Sequence, residues 1–387
     1  MKILHTSDLH IGMRIKEFSM HEDQLHILNE IIRVAQKEQP QAIILAGDIY
    51  DKSVPSAEAV SMLDDFMVRL SKLKSQVFII SGNHDSAERL SFASRLIDQT
   101  GIHLAPVYNG KIEPIVIEID NTAFYMLPFI KPATVRYHAL SQEQDPEKQK
   151  ELEKQICSYD AAMRYVIDHM EIDPSRTNIL ITHQFITNSE RSDSEDSVIG
   201  GLDNIDSSAF DKFDYVALGH LHRPQSCGRD TIRYSGTPMK YSFSEVNDHK
   251  SVTIIETNGK DISLRFEPLV PLREWYDLRG TYSGLMAKDY YEGKGYQEAW
   301  VRITLTDQEE IPDAKRRLDA VYHRLMELSY DNLRTRSGAV AVGGAVNPKD
   351  RKPADLFAEL YEKQNSQPLS EEQKKYLDSL IDNIWKA

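Results

Sequence analysis

The chain has 387 residues, 41% of them hydrophobic and 27% charged, which suits a soluble globular protein of about two or three domains. Its two cysteines, Cys157 and Cys227, form no CxxC pair, which excludes a disulfide framework and a cysteine-held zinc site. A formal net charge of −14 argues against a chain that grips nucleic acid by its overall charge, although divalent cations and a local basic groove would serve instead. No stretch nears the ~20 apolar residues of a membrane span. The first residues, Met1 to Asp8, lack the apolar core of a signal peptide, so a cytoplasmic location is expected.

From the N-terminus, three apolar runs each lead into a polar cluster and then a helical pattern. Ile3 to Thr6 precede Ser7-Asp8-Leu9-His10, and Ala42 to Ala46 precede Gly47-Asp48-Ile49-Tyr50-Asp51. Val77 to Ser81 precede Gly82-Asn83-His84-Asp85. Leu25, Leu28, Ile31 and Ile32 recur at helical spacing between the first two runs. Short apolar runs alternating with helices predict an α/β sheet, which gathers function at the carboxyl ends of its strands. A charged helix is predicted over 147–170, with Leu152, Ile156, Tyr159, Met163 and Ile167 as its buried stripe. Ile179 to Thr182 then precede His183, and Tyr215 to Leu218 precede Gly219-His220-Leu221-His222. The polar, acidic stretch 188–196 reads as a loop. Strands are predicted at 252–255 and 264–267.

Near Pro268 and Pro271 the composition shifts. Trp300 to Leu305 alternate as a half-buried strand, and 311–328 reads as a helix with Ala314, Leu318, Val321 and Leu325 on one face. This outlines a small α+β domain. Residues 337–348 are rich in Gly, Ala and Val and read as a linker. Two amphipathic helices follow, at 355–362 and 370–385, the second opened by a capping-box pattern of Ser370 with Gln373. The chain has no internal repeat.

Taken singly, each polar residue at a strand end has an ordinary explanation: an Asp caps a helix, a Gly-Asn pair turns the chain, a histidine packs. Taken together, Asp8, His10, Asp48, Asn83, His183, His220 and His222 would converge on one edge of a parallel sheet. Carboxylate, amide oxygen and imidazole are a ligand set for Mn²⁺, Fe²⁺ or Zn²⁺. A carboxylate can bridge two ions, and such a pair can activate a water while neutralising a phosphate.

These five motifs resemble those of the calcineurin-like metallophosphoesterase superfamily, whose pattern runs D-x-H, G-D-x-x-D, G-N-H-D/E, H and G-H-x-H. The resemblance implies an α/β fold: a metallophosphoesterase β-sandwich flanked by helices. It assigns Asp8, His10, Asp48 and His222 to one metal ion, and Asp48, Asn83, His183 and His220 to a second. His84 is implied to be catalytic, contacting the phosphate and assisting the leaving oxygen, with Asp48 shared between the ions. Asp51 and Asp85 read either as supports of the histidines or as caps.

Within that superfamily the chain is similar to the SbcD family of nuclease subunits. Thr6 to Gly12, Gly200 to Asp206, Tyr215 to Gln225 and Tyr234 to Pro238 carry the likeness, which extends to Leu356-Phe357 and Tyr361 to Gln364. Some relatives hold histidine where this chain has Asp51, so no role of that histidine carries over. The resemblance implies a nuclease domain over 1–270, a small α+β capping domain over 271–336, a linker over 337–353, and C-terminal helices over 354–387. It implies a DNA nuclease with 3'-5' exonuclease and single-strand endonuclease activity, using two divalent ions, Mn²⁺ by expectation. It further implies a partner, the ATPase SbcC, in a complex of two copies of each, a homodimer of this chain, and work on double-strand ends and hairpins in recombination, replication and repair near the nucleoid. Leu356, Phe357, Leu360 and Tyr361 form an apolar stripe suited to docking on that partner. Arg14, Lys16 and Arg223 are candidate DNA contacts, with Lys52, Arg89, Arg136 and Lys240 near the same loops. Two other readings stay open: a phosphomonoesterase or small phosphodiesterase on the same metal site, and a DNA-end tethering subunit without catalysis.

Overall fold

The apolar runs become strands buried on both faces, which is why they read as continuous rather than alternating. The computed structural model describes residues 1–92, 94–187, 189–195, 204–332 and 369–385, together with 354, 357, 358, 360 and 361. The chain divides into two units, Met1–Leu272 and Arg273–Ala387.

In the first unit, one sheet orders its strands Asp261–Pro268, Ser251–Asn258, Lys2–Thr6, Ala42–Ala46, Gln76–Ile80 and Ile102–Ala105. Pairing is parallel from Lys2–Thr6 outward to Ile102–Ala105, and the two late strands add antiparallel on the other side. The second sheet runs Gln225–Cys227, Arg229–Tyr234, Tyr215–Gly219, Thr177–His183, Thr122–Leu127 and Ile115–Ile117. Its inner pairings are parallel and its edge strands antiparallel. Alternate residues of both sheets, among them Ile3, Ile44, Phe78, Phe124, Ile181 and Ala217, meet as one buried layer. The intervening residues face helices: Tyr125, Leu180 and Val216 pack with Met163, Val166 and Ile167. On the outer side of the first sheet, Ile27, Ile31, Leu63 and Phe66 of the helices His21–Glu38 and Ala57–Ser71 are likewise buried. The arrangement is a β-sandwich flanked by helices, as expected from the motifs.

Two helix predictions fail. The single helix over 147–170 is two helices, Pro146–Gln155 and Tyr159–Asp168. Ser158 breaks the run by taking an extended conformation and accepting the Ala161 N–H at 3.1 Å. The apolar spacing survives the break, since Ile156, Met163 and Ile167 are all buried.

The helix over 311–328 is short, Ala314–Asp319, and the chain then forms a strand, Leu325–Tyr330. That strand pairs in parallel with Trp300–Leu305, which pairs with Trp275–Gly280. Leu318 and Leu325, seven apart, satisfy a helical period, but the sheet supplies Leu325 with Val301 as its cross-strand partner. Both leucines end in the second unit's core with Ile303 and Tyr322.

Further along, Glu371–Trp385 is helical, and Ser370 and Gln373 exchange backbone–side-chain bonds of 2.9 and 3.2 Å, the expected capping box. Phe357, Tyr361, Leu369, Tyr376, Leu377 and Leu380 line an apolar cavity of about 390 Å³. Leu356 and the linker prediction lie outside the described residues. Among the described residues, no helix is long and apolar enough to cross a membrane.

Candidate metal centre

Register brings the strand ends level. Thr6 pairs with Leu45, Ala46 with Ile80, and Gly219 with His183, so the loops that follow open on the same edge. Backbone bonds then knit the first two loops together: the Asp8 N–H donates to Gly47 O at 3.0 Å, and the His10 N–H to Asp48 O at 3.0 Å. Four of the candidate ligands are held at positive φ: Asp8 at 54°, His10 at 45°, Asp48 at 48° and His220 at 107°. Non-glycine residues rarely adopt this region, and such conformations gather where function over-determines the backbone. Glycines make the crowding possible. A Cβ on Gly82 would sit 2.1 Å from Asp48 Oδ1, and one on Gly219 would sit 1.9 Å from Ala46 O.

The side chains converge as two linked groups. Asp8, His10 and His222 have ligand atoms within 4.8 Å of one another. His10 Nε2 lies 3.1 Å from His222 Nε2. On the other side, Asn83 Oδ1 lies 3.0 Å from His183 Nε2 and 2.9 Å from His220 Nδ1. Asp48 stands between the groups, its Oδ2 3.3 Å from His183 Nε2 and 3.7 Å from His10 Nε2. Its Oδ1 accepts the His84 N–H at 2.9 Å. Asp8 Oδ1 accepts the His220 N–H at 2.9 Å, and the Ser7 hydroxyl donates to the Asp8 carboxylate. His183 Nδ1 bonds Ala46 O at 2.9 Å, which leaves Nε2 directed at Asp48 and Asn83.

Burial dominates the electrostatics. It pushes His10 down to about 4 and His220 down to about 3, so both imidazoles are neutral at pH 7 with lone pairs available. Burial would also lower His183, but the Asp48 carboxylate outweighs it and holds the group at about 9. Burial raises Asp8, and its neighbour Asp48 raises it further. Two buried carboxyl groups, the neutral imidazoles of His10 and His220, the His183 ring and an amide oxygen form a donor set suited to a cation. The residues present therefore fit divalent ions.

A family model described as calcineurin-like phosphoesterase matches residues 1–224, and a second, described as type 5 capsule protein repressor C-terminal domain, matches 268–365. The chain is 36% identical over 334 residues to the SbcD subunit of nuclease SbcCD from Staphylococcus epidermidis, covering 85% of each chain. It is 32% identical over 333 residues to the same-named protein of Staphylococcus saprophyticus, covering 85% of this chain and 84% of that one. The chain belongs to the SbcD family of metal-dependent nucleases. Every candidate ligand, from Asp8 to His222, lies inside the calcineurin-like match.

Other predicted residues of this family member stand apart from the centre or act differently. The Asp85 carboxylate neither supports a histidine nor caps a helix. It accepts the N–H groups of Ile49, Tyr50 and Gly82 at 3.1, 2.8 and 2.9 Å, tying the second loop to the third. Asp51 bonds His84 through its backbone carbonyl, 3.0 Å from Nδ1, and the His84 ring stands edge-on to His10 with ring centres 4.9 Å apart. Arg14 and Lys52 line a cavity of about 310 Å³ beside Asp51 and Gly12. Lys16 sits at the turn of a small hairpin, Arg14–Ile15 with Phe18–Ser19. Arg223 is engaged elsewhere, in ion pairs with Glu190 at 2.7 Å and Asp248 at 3.2 Å. Arg136 bonds Ile156 O at 3.1 Å and Lys240 bonds Val246 O at 2.8 Å, both structural roles. Sequence reasoning missed Ser194, Glu195, Glu245 and Lys250, which surround His222; no motif or spacing marks them.

The protonation pattern gives an expected result. Metal ligation needs neutral imidazole and ionised carboxylate. His183, at about 9, carries its proton at pH 7.5, whereas His10 and His220 do not. Binding of Mn²⁺ should therefore release protons at pH 7.5, and apparent affinity should rise as pH rises from 6 toward 9. Calorimetry in buffers of different ionisation enthalpy reads this directly. A heat independent of the buffer would show that His183 is neutral before the ion arrives.

Proposed function

We propose that this chain hydrolyses phosphodiester bonds of DNA with two divalent ions, Mn²⁺ in the cell, as the nuclease partner of the ATPase SbcC. The observation that carries the reading is Asp48, whose Oδ2 lies within 3.7 Å of nitrogen ligands from both groups. Asp8, His10, Asp48 and His222 would hold one ion, and Asp48, Asn83, His183 and His220 the other. Two such ions would activate a water and neutralise the phosphate as charge builds in the transition state. The chain's own residues do the rest. His84, braced by the Asp51 carbonyl, turns Nε2 toward the place of the leaving oxygen and assists its departure. Arg14 and Lys52 offer positive charge to the DNA backbone beside the centre.

Exonuclease action of 3'-5' polarity and single-strand endonuclease action, including hairpin opening, follow from the family. The capping domain over 271–336 and the C-terminal helices extend the nuclease domain, and the exposed Phe357 and Leu360 are suited to docking on SbcC. Two copies of each subunit, with this chain dimeric, would place two nuclease sites on one DNA end.

The test is cleavage of linear and hairpin DNA in Mn²⁺, with and without SbcC and ATP, beside a chain ending at Pro348. Cleavage that SbcC and ATP extend into duplex supports the reading, and the shortened chain should keep metal binding while failing to co-purify with SbcC. Intact DNA under every condition, with a small phosphomonoester cleaved, would leave a metal site without a nuclease.

A further inference from the structure

Every polar atom of His222 has a partner. Its N–H donates to Glu195 Oε1 at 2.6 Å. Its carbonyl accepts from the Thr237 N–H at 3.1 Å, the Thr237 hydroxyl at 3.3 Å and Lys250 Nζ at 2.8 Å. Its Nδ1 lies 2.6 Å from Ser194 Oγ. Its Nε2 lies 3.1 Å from His10 Nε2, at the centre.

The Ser194 hydroxyl decides which ring nitrogen carries the proton. Ser194 Oγ stands 2.6 Å from Glu245 Oε1 and 2.8 Å from Ser192 Oγ. A hydroxyl has one proton, and a carboxylate is its strongest acceptor here. Glu245 is fully buried and anchored by Lys250 Nζ at 2.7 Å and the Ser242 hydroxyl at 2.9 Å. With its proton given to Glu245, Ser194 can only accept from His222, so the imidazole is protonated on Nδ1 and presents a lone pair on Nε2. A ring hydrogen-bonded the other way would put a proton where a ligand must be.

We propose that Ser194, backed by the buried Glu245–Lys250 pair, is a positioning residue that fixes His222 in its ligating tautomer, which makes the 189–195 segment part of the metal site. The inference rests on the two-ion reading above and adds to it a residue with no place in the five motifs. Partners of this kind typically change metal affinity by about 10- to 100-fold. Ser194 lies in a loop, so its replacement removes the contacts of its hydroxyl with His222, Glu245 and Ser192 without opening the core.

The experiment titrates Mn²⁺ by calorimetry into the metal-free full chain, into Ser194→Ala and into Ser194→Thr, and records the imidazole ¹⁵N shifts of His222 in each metal-free protein. Wild type should take two ions. Ser194→Ala should bind one of them about 10- to 100-fold more weakly, keep the other, keep its melting temperature, and lose the Nδ1-protonated signature. Ser194→Thr, which retains the hydroxyl, should restore both affinity and signature. Unchanged affinity for both ions in Ser194→Ala overturns the proposal, as does an equal loss at both ions that Ser194→Thr fails to restore. Failure of wild type to take two ions would instead overturn the two-ion reading itself.

Discussion

Replacing His84 with alanine is expected to slow DNA cleavage by about 10²- to 10⁴-fold, the usual worth of a positioned acid or base, while both ions remain bound. The separation of the two effects follows from how His84 is attached. Its backbone N–H, which alanine keeps, donates to Asp48 Oδ1 at 2.9 Å, so the Asp48 carboxylate keeps this contact. Its ring, which alanine removes, bonds the Asp51 carbonyl at 3.0 Å and faces His10 edge-on, with ring centres 4.9 Å apart. Single-turnover cleavage in saturating Mn²⁺ reads the first effect and calorimetric stoichiometry reads the second. A variant that loses one ion would show that His84 ligates, which its closeness to His10 and Asp48 permits geometrically.

Asp48→Ala should give the second large effect, weaker binding of both ions. His222→Ala makes the informative contrast, because His222 groups with Asp8 and His10 alone and should cost one ion. Losing the bridge removes several kcal/mol of transition-state charge stabilisation, and at 1.36 kcal/mol per tenfold this amounts to a rate loss on the order of 10³-fold. Metal content after gel filtration, set beside cleavage rates, distinguishes the cases. Full retention of two ions by Asp48→Ala would remove Asp48 from the bridging role. Gly82 packs so closely on Asp48 that a Cβ at position 82 would collide with the carboxylate.

The chain is acidic overall, yet its individual cations differ in how they are engaged. The formal net charge is −14, whereas Arg14 and Lys52 line one cavity with Asp51. Arg223, equally basic and equally close in sequence to a motif, is neutralised by Glu190 and Asp248. Motif proximity therefore overstates which cations face a substrate, because a cation's availability depends on partners from other segments.

Residue order alone marks the strands and the polar groups at their ends. Apolar runs such as Ala42–Ala46 and Thr177–His183 are buried on both faces, so their composition identifies them, and parallel pairing then carries Asp8, Asp48, Asn83, His183, His220 and His222 to one edge. Ser370 and Gln373 were legible for a similar reason: their bonds span three residues. The remainder depends on the folded chain. Whether 325–330 is helix or strand turns on a pairing with 301–305, and helical spacing cannot report it. Asp85 serves backbone groups 35 and 36 residues away, and Ser194 reaches His222 over 28 residues and Glu245 over 51. Local pattern encodes which face a side chain takes, because period and burial are properties of neighbouring residues. A polar contact between distant loops has no period, so only the folded chain reveals it.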